Sequence, residues 1–253
     1  MSKKTLSVVL AVYNEEVNLG GCLDSVKDLA SEIVIVDGGS KDKTIEIARR
    51  YGAKIIQTDN PPIFHINKNK AIDRATKDWV LQLDADEQVS KPLAKEIKEV
   101  IEGKNLDGFW IPRSNFFLGR FLRKGGQYPD YTLRLYRRGK GRLPAKDVHE
   151  QAEVSGKVGY LKNPLLHFRD TSFKKYFDGL RRYTDIMNIH MKDENLKINL
   201  TTLFNYFLLK PIWWFIKTYI RHKGFMDSWQ GFVFSLFSSL RFPIAYWKYW
   251  SKQ

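Results

Sequence analysis

Three short stretches of this chain are apolar at almost every position, and each breaks off at a polar cluster. Leu6-Ser7-Val8-Val9-Leu10-Ala11-Val12 runs into Tyr13-Asn14-Glu15-Glu16. Ile33-Val34-Ile35-Val36 ends at Asp37-Gly38-Gly39-Ser40, and Trp79-Val80-Leu81-Gln82-Leu83 ends at Asp84-Ala85-Asp86. Runs of this length that do not alternate polar with apolar are strands buried on both faces, the pattern of a parallel sheet covered by helices. Helical segments fall between them. One spans about 15–29, capped by Asn14 with Glu15 and Glu16 in its first turn, and others span about 42–51 and 67–76, with a short strand at Lys54-Ile55-Ile56. The β-α-β-α-β order predicts an open α/β sheet. Ligands of such sheets sit beyond the carboxyl ends of the strands. Loops are polar for general reasons, so it is the agreement of three clusters that marks a site.

Further strands are expected at Gly108-Phe109-Trp110-Ile111, Thr132 to Tyr136 and Glu150 to Val154, with Arg113 to Gln127 a mobile loop carrying aromatic and basic side chains. A helix of about 172–191 follows, then two aromatic helices near 200–222 and 226–248, parted by His222-Lys223-Gly224. The expected organisation is a catalytic domain over 1–170 and a basic, aromatic helical extension over 171–253. The charge divides the same way. Of the net +14, residues 156–253 hold 16 Lys/Arg against 6 Asp/Glu, while residues 1–155 hold 26 against 22. Hydrophobic residues at 43% exclude a disordered chain. The lone Cys22 excludes an internal disulfide and fits a reducing compartment. The apolar start is too short for a secretory signal, and no run approaches the length of a membrane span.

Two carboxylates two residues apart at a strand end, Asp84 and Asp86, project to one side and repel unless a cation lies between them. Mg2+ or Mn2+ would suit them, clamping a diphosphate and stabilising it as a leaving group. A solvated turn before a helix starting at Ser90 is the plain alternative. Asp37 can accept hydrogen bonds from a ribose or a base, with Gly38 and Gly39 permitting close approach, or it is an ordinary Asp-Gly turn. No glycine-rich phosphate loop is present.

Val9-Leu10-Ala11-Val12-Tyr13-Asn14-Glu15-Glu16, Ile35-Val36-Asp37-Gly38-Gly39-Ser40-Lys41-Asp42 and Leu83-Asp84-Ala85-Asp86-Glu87, in that order, resemble the signature of family 2 glycosyltransferases with the GT-A fold, a Rossmann-like, mostly parallel sheet flanked by helices. The segment Asn67 to Asp78 resembles the helix between these motifs. Tyr131 to Arg138, Lys146-Asp147-Val148-His149-Glu150 and the tail from Lys210-Pro211 are similar to the subgroup related to lipopolysaccharide core glucosyltransferases. One departure is Asp37-Gly38 where many members carry two aspartates. The resemblance implies an inverting transferase that moves a sugar from a nucleotide-diphosphate donor, first of all a UDP-sugar, to a hydroxyl. It implies donor contacts from Val12, Tyr13, Asn14, Glu16, Asp37, Lys70, Asp84, Ala85 and Arg134, the last meeting the diphosphate with its planar fork. Asp84 and Asp86 would hold the metal. The base that takes the acceptor proton must lie across the sugar from the leaving group, and Glu150 is the first candidate with Asp147 the second. His149 either ligates the metal, orients the base or is a plain surface histidine.

The tail pairs Trp and Phe with Lys and Arg on helices, the composition of segments that lie in a membrane interface. An anionic membrane surface and a glycolipid acceptor, such as a lipopolysaccharide core on the cytoplasmic face of the inner membrane, are the expected partners. Packing onto the catalytic domain, or homo-oligomer formation, is the alternative use of the same helices. Nucleic acid is not expected, because the cations sit in apolar helices rather than along a polar groove. A catalytically inactive, membrane-recruited module is the remaining alternative.

Overall fold

The computed structural model describes residues 4–103, 105–145 and 151–251. The chain divides into two compact units, Met1–Arg113 with Asp130–His167, and Ser114–Pro129 with Phe168–Gln253. Residues 114–129 fall in the same unit as the C-terminal helices.

In the first unit the apolar runs form β1 (Leu6–Val12), β2 (Glu32–Asp37), β3 (Lys54–Gln57) and β4 (Trp79–Leu83), all parallel in the order β3-β2-β1-β4. Val8, Leu10, Ile33, Ile35, Leu81 and Leu83 face one core with Leu19 and Leu23 of α1 (Leu19–Val26) and Leu93 and Ile97 of α4 (Lys91–Val100). Val9, Val34, Val36 and Val80 face a second core with Ala71 and Ile72 of α3 (His65–Asp73). The period of two sends neighbouring side chains to opposite faces, so an unbroken apolar run fills both layers. α2 (Thr44–Arg50) completes the alternation.

Beyond β4 the sheet turns mixed. β5 (Glu87–Val89), β6 (Gly108–Phe117), β8 (Asp130–Arg137), β11 (Val158–Tyr160) and β12 (Leu165–Asp170) extend it, with β8 antiparallel to both β4 and β6, and β12 antiparallel to β5. β9 (Gly141–Arg142) and β10 (Glu153–Val154) form a separate pair. The order reverses at β1, with β2 on one side and β4 on the other, which is where an open sheet leaves a crevice.

Two expectations differ from the structure here. Asn14 does not cap a helix: its φ is +54°, its Oδ1 accepts from the Lys41 amide, and its own amide donates to Ser40 Oγ, so α1 starts only at Leu19. Residues 113–127 are not simply a loop. β6 continues to Phe117 and turns back into β7 (Arg120–Phe121) through Leu118 and Gly119, both at positive φ.

The second unit contains that hairpin and α5 (Phe173–Asp193), α6 (Leu200–Phe204), α7 (Lys210–Phe215) and α8 (Ser228–Trp250). Wider π-turns at Asn205–Leu209 and Ile216–Arg221 flank α7, so residues 200–221 form one nearly continuous rod. Phe117, Leu122 and Tyr176 pack with Phe234 and Phe237, and Met191 packs with Ala245, Tyr246 and Tyr249. Among the described residues no helix is long and apolar enough to cross a membrane.

Candidate active site

The register of the parallel strands sets the site. Val12 pairs with Asp37, and Leu10 with Leu83, so the chain leaves β1, β2 and β4 at one edge of the sheet. The first two exits are stitched together. The amides of Glu15 and Glu16 donate to Thr44 Oγ1 and Asp42 Oδ2, and Glu16 Oε2 accepts from the Lys43 amide at 3.0 Å. Glu16 and Asn14 thus shape the loops, while Tyr13 stands exposed beside them. The Gly38 amide donates to the Val12 carbonyl. Asp37 is fully buried. Its Oδ2 accepts from the amides of Gly39 and Ser40 at 3.0 Å each, and its Oδ1 has no partner. A buried carboxylate oxygen without a donor is uncommon.

Asp84 is held by protein cations. Lys68 of α3 bonds its Oδ1 and Arg134 of β8 its Oδ2, the latter at 2.5 Å. Burial would raise its pKa, but Arg134 and Lys68 outweigh it and hold the carboxyl far below the usual range. Burial lowers the Lys68 pKa against the pull of Asp84. Glu87, also fully buried, accepts from the Asp84 amide at 2.9 Å and from Arg134 Nη2 at 3.0 Å. Arg113 Nη1 lies 3.6 Å from Glu87, and its Nη2 bonds Asp130 at 2.7 Å. Three carboxylates thus meet three cations, and buried charges persist only when paired in this way. Arg134 also binds Gln82. Its Nη1 and Nη2 are therefore committed to Gln82, Asp84 and Glu87, while its Nε is buried without a hydrogen-bond partner.

Asp86 points elsewhere. The pairing of β12 with β5 sets His167 opposite Glu87, and its Nε2 lies 3.4 Å from Asp86 Oδ2. The carboxylates at 84 and 86 do not converge on one point as their spacing suggested. The turn that closes between the Asp84 carbonyl and the Glu87 amide sends them to different partners, with Ala85 buried between them. The donor set fits a divalent ion at Asp86 and His167 better than at Asp84, whose two oxygens are engaged. Among the described residues no group of three or more His, Cys, Asp or Glu is positioned to hold a metal, so further ligands would come from a diphosphate and water.

Lys70, on α3, donates to Thr58 Oγ1 at 2.8 Å and lines a cavity of about 450 Å³ with Asn69, Asp73, Arg142 and Ala145. Asp147, His149 and Glu150 lie outside the described residues. Both flanks of that segment are tied down: Leu143 exchanges two hydrogen bonds with Asn69, and Gln151 Oε1 accepts from Thr132 Oγ1 and the Leu133 amide on β8. Lys68, Glu87 and His167 escaped the motif reading. Counting back from Ile72 at helical spacing turns Lys68 inward, which is the signal that would have found it.

The model of glycosyl transferase family 2 matches residues 7–165. The chain belongs to this family. Among family 2 relatives, the lipopolysaccharide core biosynthesis glycosyltransferase LpsC of Rhizobium meliloti is 27% identical, over 94% of this chain and 92% of its own length. An uncharacterized glycosyltransferase of Rickettsia typhi is also 27% identical, over 94% of this chain and 85% of the relative. TarS of S. aureus, residues 1–349, superposes with a TM-score of 0.53 at 17% identity, covering 98% of this chain and 92% of that one. Full-length TarS gives 0.52, and there the chain spans about half, 47%, of the matched protein. The family 2 fold is the expected GT-A arrangement, a curled, mostly parallel sheet flanked by helices.

Proposed function

We propose that the protein is a metal-dependent, inverting glycosyltransferase that moves a sugar from a nucleotide-diphosphate donor, first of all a UDP-sugar, to a hydroxyl of a membrane-borne glycolipid of the lipopolysaccharide core type. What supports this most directly is the pair Asp86–His167 at the carboxyl end of β4, next to ion pairs that already neutralise Asp84. The unpartnered Oδ1 of Asp37 supports a nucleoside donor, accepting from a ribose hydroxyl or a base N–H. Exposed Tyr13 offers a face on which the base can stack. The name of the relative LpsC supports the acceptor class, and an acceptor of that class would be met at an anionic membrane surface on its cytoplasmic face.

In this reading Asp86 and His167 hold the divalent ion, with His149 a further candidate from the segment outside the described residues. Bound there, the ion would neutralise the departing diphosphate. An imidazole in the ligand set favours Mn2+ over Mg2+, which takes oxygen donors. The acceptor oxygen attacks the anomeric carbon, the bond from that carbon to the diphosphate oxygen breaks, and its electron pair leaves with the nucleotide. The hydroxyl proton passes to Glu150, or to Asp147 if Glu150 fails the test below. Asp84, Glu87, Lys68, Arg113 and Arg134 do not touch the reacting atoms. They hold the turn that aims Asp86.

Thermal shift with UDP, GDP, ADP or TDP and Mn2+ tests the donor site. Stabilisation by one nucleotide that needs metal, and its loss in Asp86→Asn and His167→Ala, is the expected result. No stabilisation by any of the four overturns the proposal. Glu150→Gln should keep donor binding and lose turnover; turnover retained moves the base to Asp147.

A further inference from the structure

Among the described residues no carboxylate forms an ion pair with one cation of the C-terminal unit. Arg241 of α8 packs its guanidinium against three rings, with its carbon 3.8 Å from the centre of Trp214, 4.8 Å from Phe242 and 5.3 Å from Tyr183. Its Nε is buried without a hydrogen-bond partner. Burial lowers its pKa, opposed only by the hydroxyls of Tyr183 and Tyr176. A second cation shares the same indole: Lys217 Nζ lies 4.9 Å from Trp214 and 4.8 Å from Trp213. Two cations on one aromatic ring, one of them buried, repel each other, and an anion between or beside them would relieve the cost.

The rod that carries Lys217 and Trp214 also presents an exposed apolar row. Leu200, Phe204, Leu208, Ile212, Ile216 and Ile220 recur at every fourth residue, and all are at least 40% exposed. In an α-helix four residues advance about 400°, so such a row drifts by about 40° per step. The π-turns at Asn205–Leu209 and Ile216–Arg221 wind more slowly and offset that drift, holding the row to one side of the rod. Single exposed apolar residues are normal, but six in a row with Trp213 beside them are an interaction surface. Charge identifies what it meets. Residues 195–251 hold seven Lys/Arg and one acid, Asp227. Asp227 is buried and accepts from the amides of Arg123 and Lys124.

We propose that this row beds into the headgroup layer of an anionic bilayer, with Lys217 and Arg241 of the same unit supplying positive charge for lipid phosphate. The apolar row would then meet acyl chains, and the phosphate would replace the missing counter-charge. The row is five aliphatic side chains and Phe204, with no group to hydrogen-bond a base edge or a phosphate, so nucleic acid fits it poorly. The proposal shares with the proposed function only the membrane, and it is independent of the transfer chemistry.

Co-sedimentation of the full chain with vesicles of phosphatidylcholine, with and without about one-third phosphatidylglycerol, tests it. The wild type should bind the anionic vesicles and release from them as salt rises. Arg241→Gln and Lys217→Gln should each weaken binding about 5-fold, and the pair about 30-fold. Trp213→Ser should weaken it too. The half-exposed Lys217 keeps the test readable should Arg241→Gln fail to fold, as its melting curve would report. The proposal is overturned if the wild type ignores anionic vesicles, or if the folded variants bind them as well as it does. Suppression of binding by millimolar inorganic phosphate alone would point to a site for free anions instead, and suppression by duplex DNA to a nucleic-acid surface. Either overturns it. Donor-nucleotide stabilisation, measured on the same samples, reports on the transferase separately.

Discussion

Asp84 and Asp86 share a motif but not a job, and their substitution should separate them. Asp84→Asn leaves Lys68 buried without its counter-charge and Arg134 with Glu87 alone, at a cost of about 3 kcal/mol and a fall in Tm on the order of 10 °C. Asp86→Asn removes a part-exposed carboxylate whose partner is His167, so thermal melting should barely change while the Mn2+-dependent nucleotide shift disappears. Equal melting losses in both variants would contradict this division. Cys22 offers a further check. It is buried, with its Sγ 3.6 Å from the Asp84 carbonyl, and burial first, then Glu87 and Asp84, push its thiol pKa up. The folded protein should resist thiol reagents at neutral pH and react at once on denaturation.

Elements show where patterning succeeds and where it stops. β1, β2 and β4 are readable because unbroken apolar runs admit no other placement in a two-sided core. The hairpin of β6 and β7 is not, since its turn is Leu118-Gly119 rather than a pair that favours positive φ at both positions. At the edge of the strands away from the candidate site, Glu32 ties β1, β2 and β3 to the approach of β4, accepting from Ser7 Oγ at 2.6 Å, Lys54 Nζ at 2.6 Å and the Thr76 amide at 2.7 Å. Burial opposes its ionisation, but these donors prevail and hold its pKa at about 2 against 4.5. A depressed folded pKa stabilises above the unfolded value, so this contribution is complete above about pH 4.5 and is lost as pH falls towards 2. Urea midpoints measured down that range should fall less steeply in Glu32→Gln. In the other unit, α8 leaves a tight turn (Gly224–Asp227) so closely that a Cβ on Gly231 would stand 1.9 Å from the Gly224 carbonyl oxygen. Gly231→Ala should therefore cost about 2 kcal/mol or more, read as a drop in Tm.

Across the whole molecule, the proposed chemistry and the proposed membrane contact fall in different compact units, and variants should separate them. Asp86→Asn should lose nucleotide binding and keep vesicle binding, and Lys217→Gln should do the reverse; a single variant that loses both while folded would argue against that separation. From residue order alone came the alternation of strands and helices, the expectation of a ligand at the strand ends by Asp37 and Asp86, and the basic aromatic character of the tail. These follow from local pattern, because burial on two faces and charge balance are properties of consecutive residues. Folding alone could pair Asp84 with Lys68 and Arg134, bring His167 to Asp86 through the register of β12 on β5, and set Arg241 against Trp214. Those partners lie far apart along the chain, and an electrostatic pairing between distant residues exists only once a sheet or a helix pair has set their separation.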